Sequence, residues 1–256
     1  MMRSMGEACL PKGVPGACPD HVAIGVWKIA DVTDFVVSGL RGRNHIGGPG
    51  LGFQGGQWSF INGGLLEIIE PRGSADGFLF RFLDRLGPGL HHITFKVSNL
   101  RAAADAVAAF GYDVVGYDDS HPGWKECFLH PKQAQGIVVQ LAESHPHLDD
   151  DWGPNWDFPP APEVVAEPVA LLGLRMRARN GDAAKRQWAG LLGAGCREDG
   201  ERRLRFEWEG SPMGVTVEVD PSRPDAALGI EIATRRPLDL PSNAHPSLGA
   251  TFFVST

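Results

Sequence analysis

Residues 92–143 read HITFKVSNLRAAADAVAAFGYDVVGYDDSHPGWKECFLHPKQAQGIVVQLAE. HITFKV (residues 92–97) is a strand candidate. NLRAAADAVAAFG (99–111) predicts a helix, with Asn99 as N-cap and Gly111 at its C-terminal end. YDVVGYDD, WKECFLHP and GIVVQLAE follow as three further strands, so the unit is a strand, a helix and about three strands. The same order starts upstream at His21. HVAIGVWKI (21–29) is a strand, DVTDFVVSGL a short helix candidate, the residues around GGPGLGFQGG are turn-rich, and QWSFING and LLEIIEP are strands ending at Pro71. His21 to His92 is 71 residues and Glu67 to Gln140 is 73; within the copies, His21 to Glu67 is 46 and His92 to Gln140 is 48. Offsets that agree this closely mark an internal repeat whose loops differ by a couple of residues.

Beyond residue 145 the pattern weakens. Residues 146–166 are acidic and proline-rich and read as a linker, as residues 1–19 read as an N-terminal tail. From 167 to 256 a degenerate third copy is expected: LLGLRMRA as a strand, GDAAKRQWAGLLG as a helix with Asp182 near its start and Gly193 closing it, then RRLRFEWE and GVTVEVDP as strands with one wet face. A shortened fourth copy begins at ALGIEIAT; the alternative is an unrelated α+β cap. The tandem repeat is thus bounded as 20–145.

A chain of 256 residues makes one large domain or two modest ones, and 43% hydrophobic with 21% charged residues is an ordinary globular composition. With 24 basic against 31 acidic residues the net charge is −7, so the basic footprint of a nucleic-acid binder is absent. Cys9, Cys18, Cys127 and Cys196 form no C-x-x-C pair, which excludes a zinc ribbon and a disulfide framework. No run of 18 apolar residues and no apolar leader occurs, so no membrane association and a cytoplasmic location are expected.

HVAIGV, LLEIIEP, GLHHITFKV and FLHPKQAQGIVVQLAE resemble the vicinal oxygen chelate superfamily, the glyoxalase, bleomycin-resistance and extradiol-dioxygenase group. FLHPK followed by GIVV is most similar to its methylmalonyl-CoA epimerase branch. The resemblance covers residues 20–143 and implies an α+β fold. Paired βαβββ modules would form a curved mixed sheet around one divalent metal, and a second, degenerate βαβββ region would follow. The ligands implied, one each from the opening and closing strands of the two modules, are His21, Glu67, His92 and Gln140. His92 is preferred to His91 because HITFKV aligns with HVAIGV, and His91 is expected to point to the other face. Two imidazoles, a carboxylate and a carbonyl oxygen suit Co, Mn, Ni, Zn or Fe. The bland reading makes the histidines ordinary half-buried residues and Glu67 a solvent-facing edge position.

Epimerase-like relatives usually carry Gln at the first closing strand and Glu at the last; here the two are exchanged. The exchange passes the proton-moving role to Glu67, with Glu126 as the second carboxylate. Trp58, Phe60, Trp124 and Phe128 are expected to line the cavity, and His130 and Lys132 either bind an anionic substrate group or belong to a turn fixed by Pro131. In the third copy Val217 takes the place of Glu67 by its distance from the following proline. Neither later opening strand begins with His, so the C-terminal pair should hold no metal and act as scaffold, lid or dimer surface. The leading expectation is a metal-dependent isomerase, epimerase or lyase that abstracts a proton beside the carbonyl of a small molecule, possible as a homodimer. An Fe²⁺ oxygenase and a metal-free binding or resistance protein are the alternatives.

Overall fold

The computed structural model describes residues 11–145 and 168–255; the expected linker lies outside these. Strands β1 (Cys18–Gly25), β2 (Arg43–Gly50), β3 (Phe53–Ser59), β4 (Leu65–Pro71), β5 (Gly89–Lys96), β6 (Val114–Asp118), β7 (Trp124–Leu129) and β8 (Val138–Ser144) form one sheet in the order β2-β3-β4-β1-β5-β8-β7-β6. β1 runs parallel to β4 and β5 parallel to β8, and the antiparallel pair β1–β5 joins the halves. A second sheet repeats the plan with β9 (Val169–Ala178), β10 (Gly195–Glu198), β11 (Arg203–Glu207), β12 (Gly214–Val219), β13 (Ala226–Thr234) and β14 (Thr251–Ser255), ordered β10-β11-β12-β9-β13-β14. The shortened fourth copy is therefore two parallel strands, β13 and β14.

The repeat is exact in register. Ala23 pairs with Glu67 and Thr94 with Gln140, each two residues after a histidine. Across β1–β5, His21 faces Thr94, Val22 faces Ile93 and Ala23 faces His92, so a pseudo-twofold axis passes through the Val22–Ile93 pair. One extra residue bulges from each opening strand: Asp20 in β1 and His91 in β5, Leu172 in β9 and Leu228 in β13.

Helix α2 (Leu100–Ala109) forms as expected. The Asn99 side chain accepts from the Ala102 N–H at 2.8 Å, Leu100, Ala103, Ala104 and Val107 are buried on one face, and Gly111 ends the helix at φ 77°. The 31–40 stretch differs from expectation. It folds as a 3-10 turn (Ile29–Asp31) and a π-helical stretch (Phe35–Gly39), with Thr33 Oγ1 donating back to the Ile29 carbonyl at 2.9 Å. Asn180 caps α3 (Gly181–Ala184), which widens into a π-helical Lys185–Leu191 segment. The glycine-rich stretch expected as turns is instead the β2–β3 hairpin, because ladder hydrogen bonds need no side chain. Between Pro71 and β5, where no element was expected, α1 (Phe78–Leu86) lies over Ile69 through Leu79 and Leu83.

Alternation along the central strands sends Val22, Ile24, Ile93 and Phe95 to one face and His21, Ala23, His92 and Thr94 to the other. The apolar face joins Leu174, Met176, Ile230 and Ile232 of the second sheet in one continuous core. Phe95 packs against Trp188 and Trp208 at ring-centroid distances of 6.2 and 5.1 Å. Asn62 ties the halves further, donating to the Leu171 carbonyl and accepting from its N–H at 2.8 and 3.0 Å. Among the described residues no helix is long and apolar enough to cross a membrane.

Candidate metal centre

The polar faces of β1, β4 and β5 converge at the centre of the first sheet. His21 Nε2 lies 3.3 Å and His92 Nε2 3.5 Å from Glu67 Oε2. The ligand atoms of the three residues all fall within 4.8 Å of one another. Both imidazoles are buried and nearly perpendicular, with centroids 5.6 Å apart. The two bulge residues sit behind them. Asp20 Oδ2 accepts from His21 Nδ1 at 2.7 Å, which turns Nε2 toward the centre, and His91 Nδ1 is 2.8 Å from His92 Nδ1. His91 therefore stands beside His92 rather than on the opposite face, because the bulge interrupts the alternation on which that expectation rested.

The charges here are strongly coupled. Burial alone would raise the Glu67 pKa; the two histidines reverse this and hold it well below the usual carboxylate range. Burial would lower that of His21, but Glu67 and Asp20 outweigh it and bring it up to about 9. His92 is lowered, with burial outweighing the pull of Glu67, and burial pushes His91 down to about 3. A half-buried carboxylate between two buried imidazoles, one of them backed by a second carboxylate, fits a divalent cation of the borderline class.

Gln140 is the register equivalent of Glu67. Its carbonyl oxygen accepts from Thr94 Oγ1, whose oxygen is 2.9 Å from His21 Nε2, so Gln140 meets the three-residue cluster through Thr94. Its amide nitrogen donates to Glu126 Oε2 at 2.7 Å, and Trp124 Nε1 donates to the same oxygen at 2.7 Å. Lys96 Nζ lies 3.8 Å from the centroid of the Trp124 ring. Trp124, Glu126 and Phe128 share the cup face with Gln140, since Phe128 pairs with it directly. Trp58 and Phe60 do not line the cup. Gln57 is the residue paired with Glu67, so Trp58 points the other way, and both aromatics are buried in the core. His130 is in the exposed turn after β7, its Nδ1 accepting from the Lys132 N–H at 3.1 Å. Thr94 was legible as the residue two beyond His92 on the same face; Asp20 was not, because only a bulge brings it to His21.

The second sheet shows what the same scaffold does without ligands. Register places Gly173, Thr216, Gly229 and Phe253 where the first sheet has His21, Glu67, His92 and Gln140. Thr216, not Val217, is thus the counterpart of Glu67; distance to a proline misses the register by one. The positions of Ala23 and Thr94 hold Arg175 and Glu231. Arg175 Nε donates to Glu231 Oε1 at 2.8 Å, Thr216 Oγ1 donates to Oε2 at 2.8 Å, and the guanidinium stacks 4.3 Å from the Phe253 centroid. An internal ion pair fills this cup. A Cβ at Gly173 or Gly229 would collide with the neighbouring strand's backbone, so histidine has no room at either position.

The profile of the glyoxalase/bleomycin resistance protein/dioxygenase superfamily matches residues 20–128. YqjC, an uncharacterized protein of Bacillus subtilis strain 168, is 30% identical over 131 residues, which are 48% of this chain and 90% of YqjC. The chain belongs to the glyoxalase/bleomycin resistance protein/dioxygenase superfamily. A hypothetical protein from Staphylococcus aureus, 10% identical, shares the fold over 93% of this chain and 98% of its own, with a TM-score of 0.60. Methylmalonyl-CoA epimerase from Mycobacterium tuberculosis is also similar, 21% identical, covering 57% of this chain and 95% of its own, with a TM-score of 0.48.

Proposed function

We propose that this superfamily member is a metal-dependent isomerase, epimerase or lyase that moves a proton beside the carbonyl of a small molecule. The observation that carries the reading is the convergence of His21, Glu67 and His92 next to a second carboxylate, Glu126, held separately. His21, Glu67 and His92 would hold the ion, with Gln140 able to join once its oxygen leaves Thr94. A divalent ion bound there supplies Lewis acidity to a carbonyl oxygen and so favours loss of the neighbouring proton.

The chain's own residues divide the remaining work. Glu67 Oε2 is shared by both imidazoles, which makes that carboxylate a poor base and a good anchor. Glu126 is the better proton carrier: Gln140 and Trp124 both donate to its Oε2 and hold the carboxylate in place, and it shares no oxygen with the two imidazoles. Glu67→Gln should lower metal content, measured by elemental analysis of protein purified without chelator. Glu126→Gln should keep about one equivalent of metal and lose deuterium uptake from D2O into acyl thioesters and α-hydroxyketones. Exchange that survives Glu126→Gln refutes the role of Glu126.

Two imidazoles and one carboxylate are also the donor set of Fe²⁺ oxygenases, which favours that as a second reading. Iron as the bound metal, with oxygen consumption on adding a catechol, would select it. A chain that takes up no divalent metal would instead be a binding cup.

A further inference from the structure

Among the described residues the two sheets have four edges, and three of them are blunted against further pairing. β2 carries Arg43 and Pro49 and bulges at His45. β6 bulges between Val115 and Asp118, with Gly116 at φ 57°. β10 is four residues long and exposes Arg197 and Glu198. β14 reads TFFVS, with no charge and no proline, and it keeps an unbroken register with β13 from Gly229–Thr251 to Ala233–Ser255. No described strand follows it in the sheet, whereas its counterpart β8 is followed by β7 and β6. Val254 shows what that difference does. Leu141, at the same register position in β8, pairs with Cys127 of β7 and both are fully buried, but Val254 is 44% exposed.

A strand that fits this edge is uncharged and places an apolar side chain beside Val254. β14 itself meets both conditions. Laid antiparallel on a second copy about a twofold axis through Phe253, it sets Val254 opposite Phe252, Thr251 opposite Ser255 and Phe253 opposite itself. Phe252 of the second copy then covers Val254 as Cys127 covers Leu141. Charge favours the same partner. Residues 168–256 hold 12 basic and 11 acidic residues, against 12 and 20 in residues 1–167, so copies that meet through the second sheet avoid the repulsion carried by the rest of the chain. We propose that β14 is the self-association edge of this protein, joining the six-stranded sheets of two copies into one continuous sheet. A five-residue ladder is only about 17 Å long, less than a tight interface needs, so the dimer is a weak one with a micromolar or higher dissociation constant.

Sedimentation velocity of the full chain over a dilution series should show a dimer whose fraction rises with concentration. Val254→Lys puts a charge at an already exposed position, opposite an apolar ring. It should raise the dissociation constant about tenfold or more without changing the melting temperature of the dilute protein. Phe253→Cys gives an independent arm that reads the register. Residues opposed across antiparallel strands have Cβ atoms about 4.5–5.5 Å apart, so mild oxidation should link the two copies of residue 253, and mass spectrometry of the digest identifies the linked peptide. Val254→Cys, set two residues away from its own copy, should link several-fold less. A chain that stays monomeric up to about 1 mM overturns the proposal. So does a dimer that V254K leaves intact and that does not link through position 253, because its contact then lies on another surface. Equal linkage at both cysteine positions overturns the register centred on Phe253.

Discussion

His21 lies 3.3 Å from the half-buried Glu67 carboxylate, and that contact has a consequence for pH. The folded value of His21, about 9, exceeds the ordinary histidine value of about 6.5. Its contribution to stability is therefore complete below pH 6.5 and is lost as pH rises through 9. Metal-free protein in chelator should melt at lower temperature at pH 9.5 than at pH 7, and Glu67→Gln should flatten that dependence. A metal ion needs the neutral imidazole, so its uptake near pH 7.5 should release a proton from His21. Calorimetry in two buffers of different ionisation enthalpy would count it; no release would refute the His21 assignment. The three converging residues were legible because the copies keep near-equal offsets. Asp20 and His91 were misplaced or missed because bulges leave no mark in a period-2 pattern.

Among the elements, α2 depends on a residue outside itself. Glu143 in β8 accepts from the Leu100 N–H at 2.7 Å, from Lys125 Nζ at 2.9 Å and from His145 Nε2 at 2.8 Å. The backbone bond to Leu100, then the Lys125 ammonium, hold its carboxyl down to about 2. Its stabilisation is present above the ordinary carboxylate value of about 4.3 and is lost as pH falls toward 2. Glu143→Ala removes a charge-assisted bond at a helix N-terminus, which costs about 1.5–3 kcal/mol. Urea unfolding should show that loss at pH 7 and a much smaller one at pH 2.5; an equal loss at both would deny the charge a part. α2 itself was legible from Asn99, its apolar spacing and Gly111. So was α1, where Leu79, Phe82 and Leu83 recur at helical spacing opposite Arg81 and Asp84, although no element was assigned there. β2 was not, because its glycines carry no strand preference and its order comes from pairing with β3.

At the scale of the whole molecule, two sheets of one plan share a core, and only one keeps the ligand set. Where the second cup has glycines in place of the two histidines, Arg175 stands as a cation already built into the chain, and Glu231, 3% exposed, is its counter-charge. That arrangement separates metal binding from stability in a way that can be measured. Glu231→Gln leaves the Arg175 guanidinium without its main partner. Breaking a pair of this kind costs about 3 kcal/mol or more, whereas replacing both partners by apolar residues of similar volume costs little. Denaturant unfolding of E231Q should show the loss, and the double variant Arg175→Met with Glu231→Leu should recover most of it. Through both changes the metal content should stay near one equivalent per chain, because the register equivalents in the second sheet are Gly173, Thr216, Gly229 and Phe253. Two equivalents in the unmodified chain, halved by these substitutions, would show that the second cup also binds metal. A double variant as unstable as E231Q would mean that Arg175 holds the second sheet by charge rather than by volume.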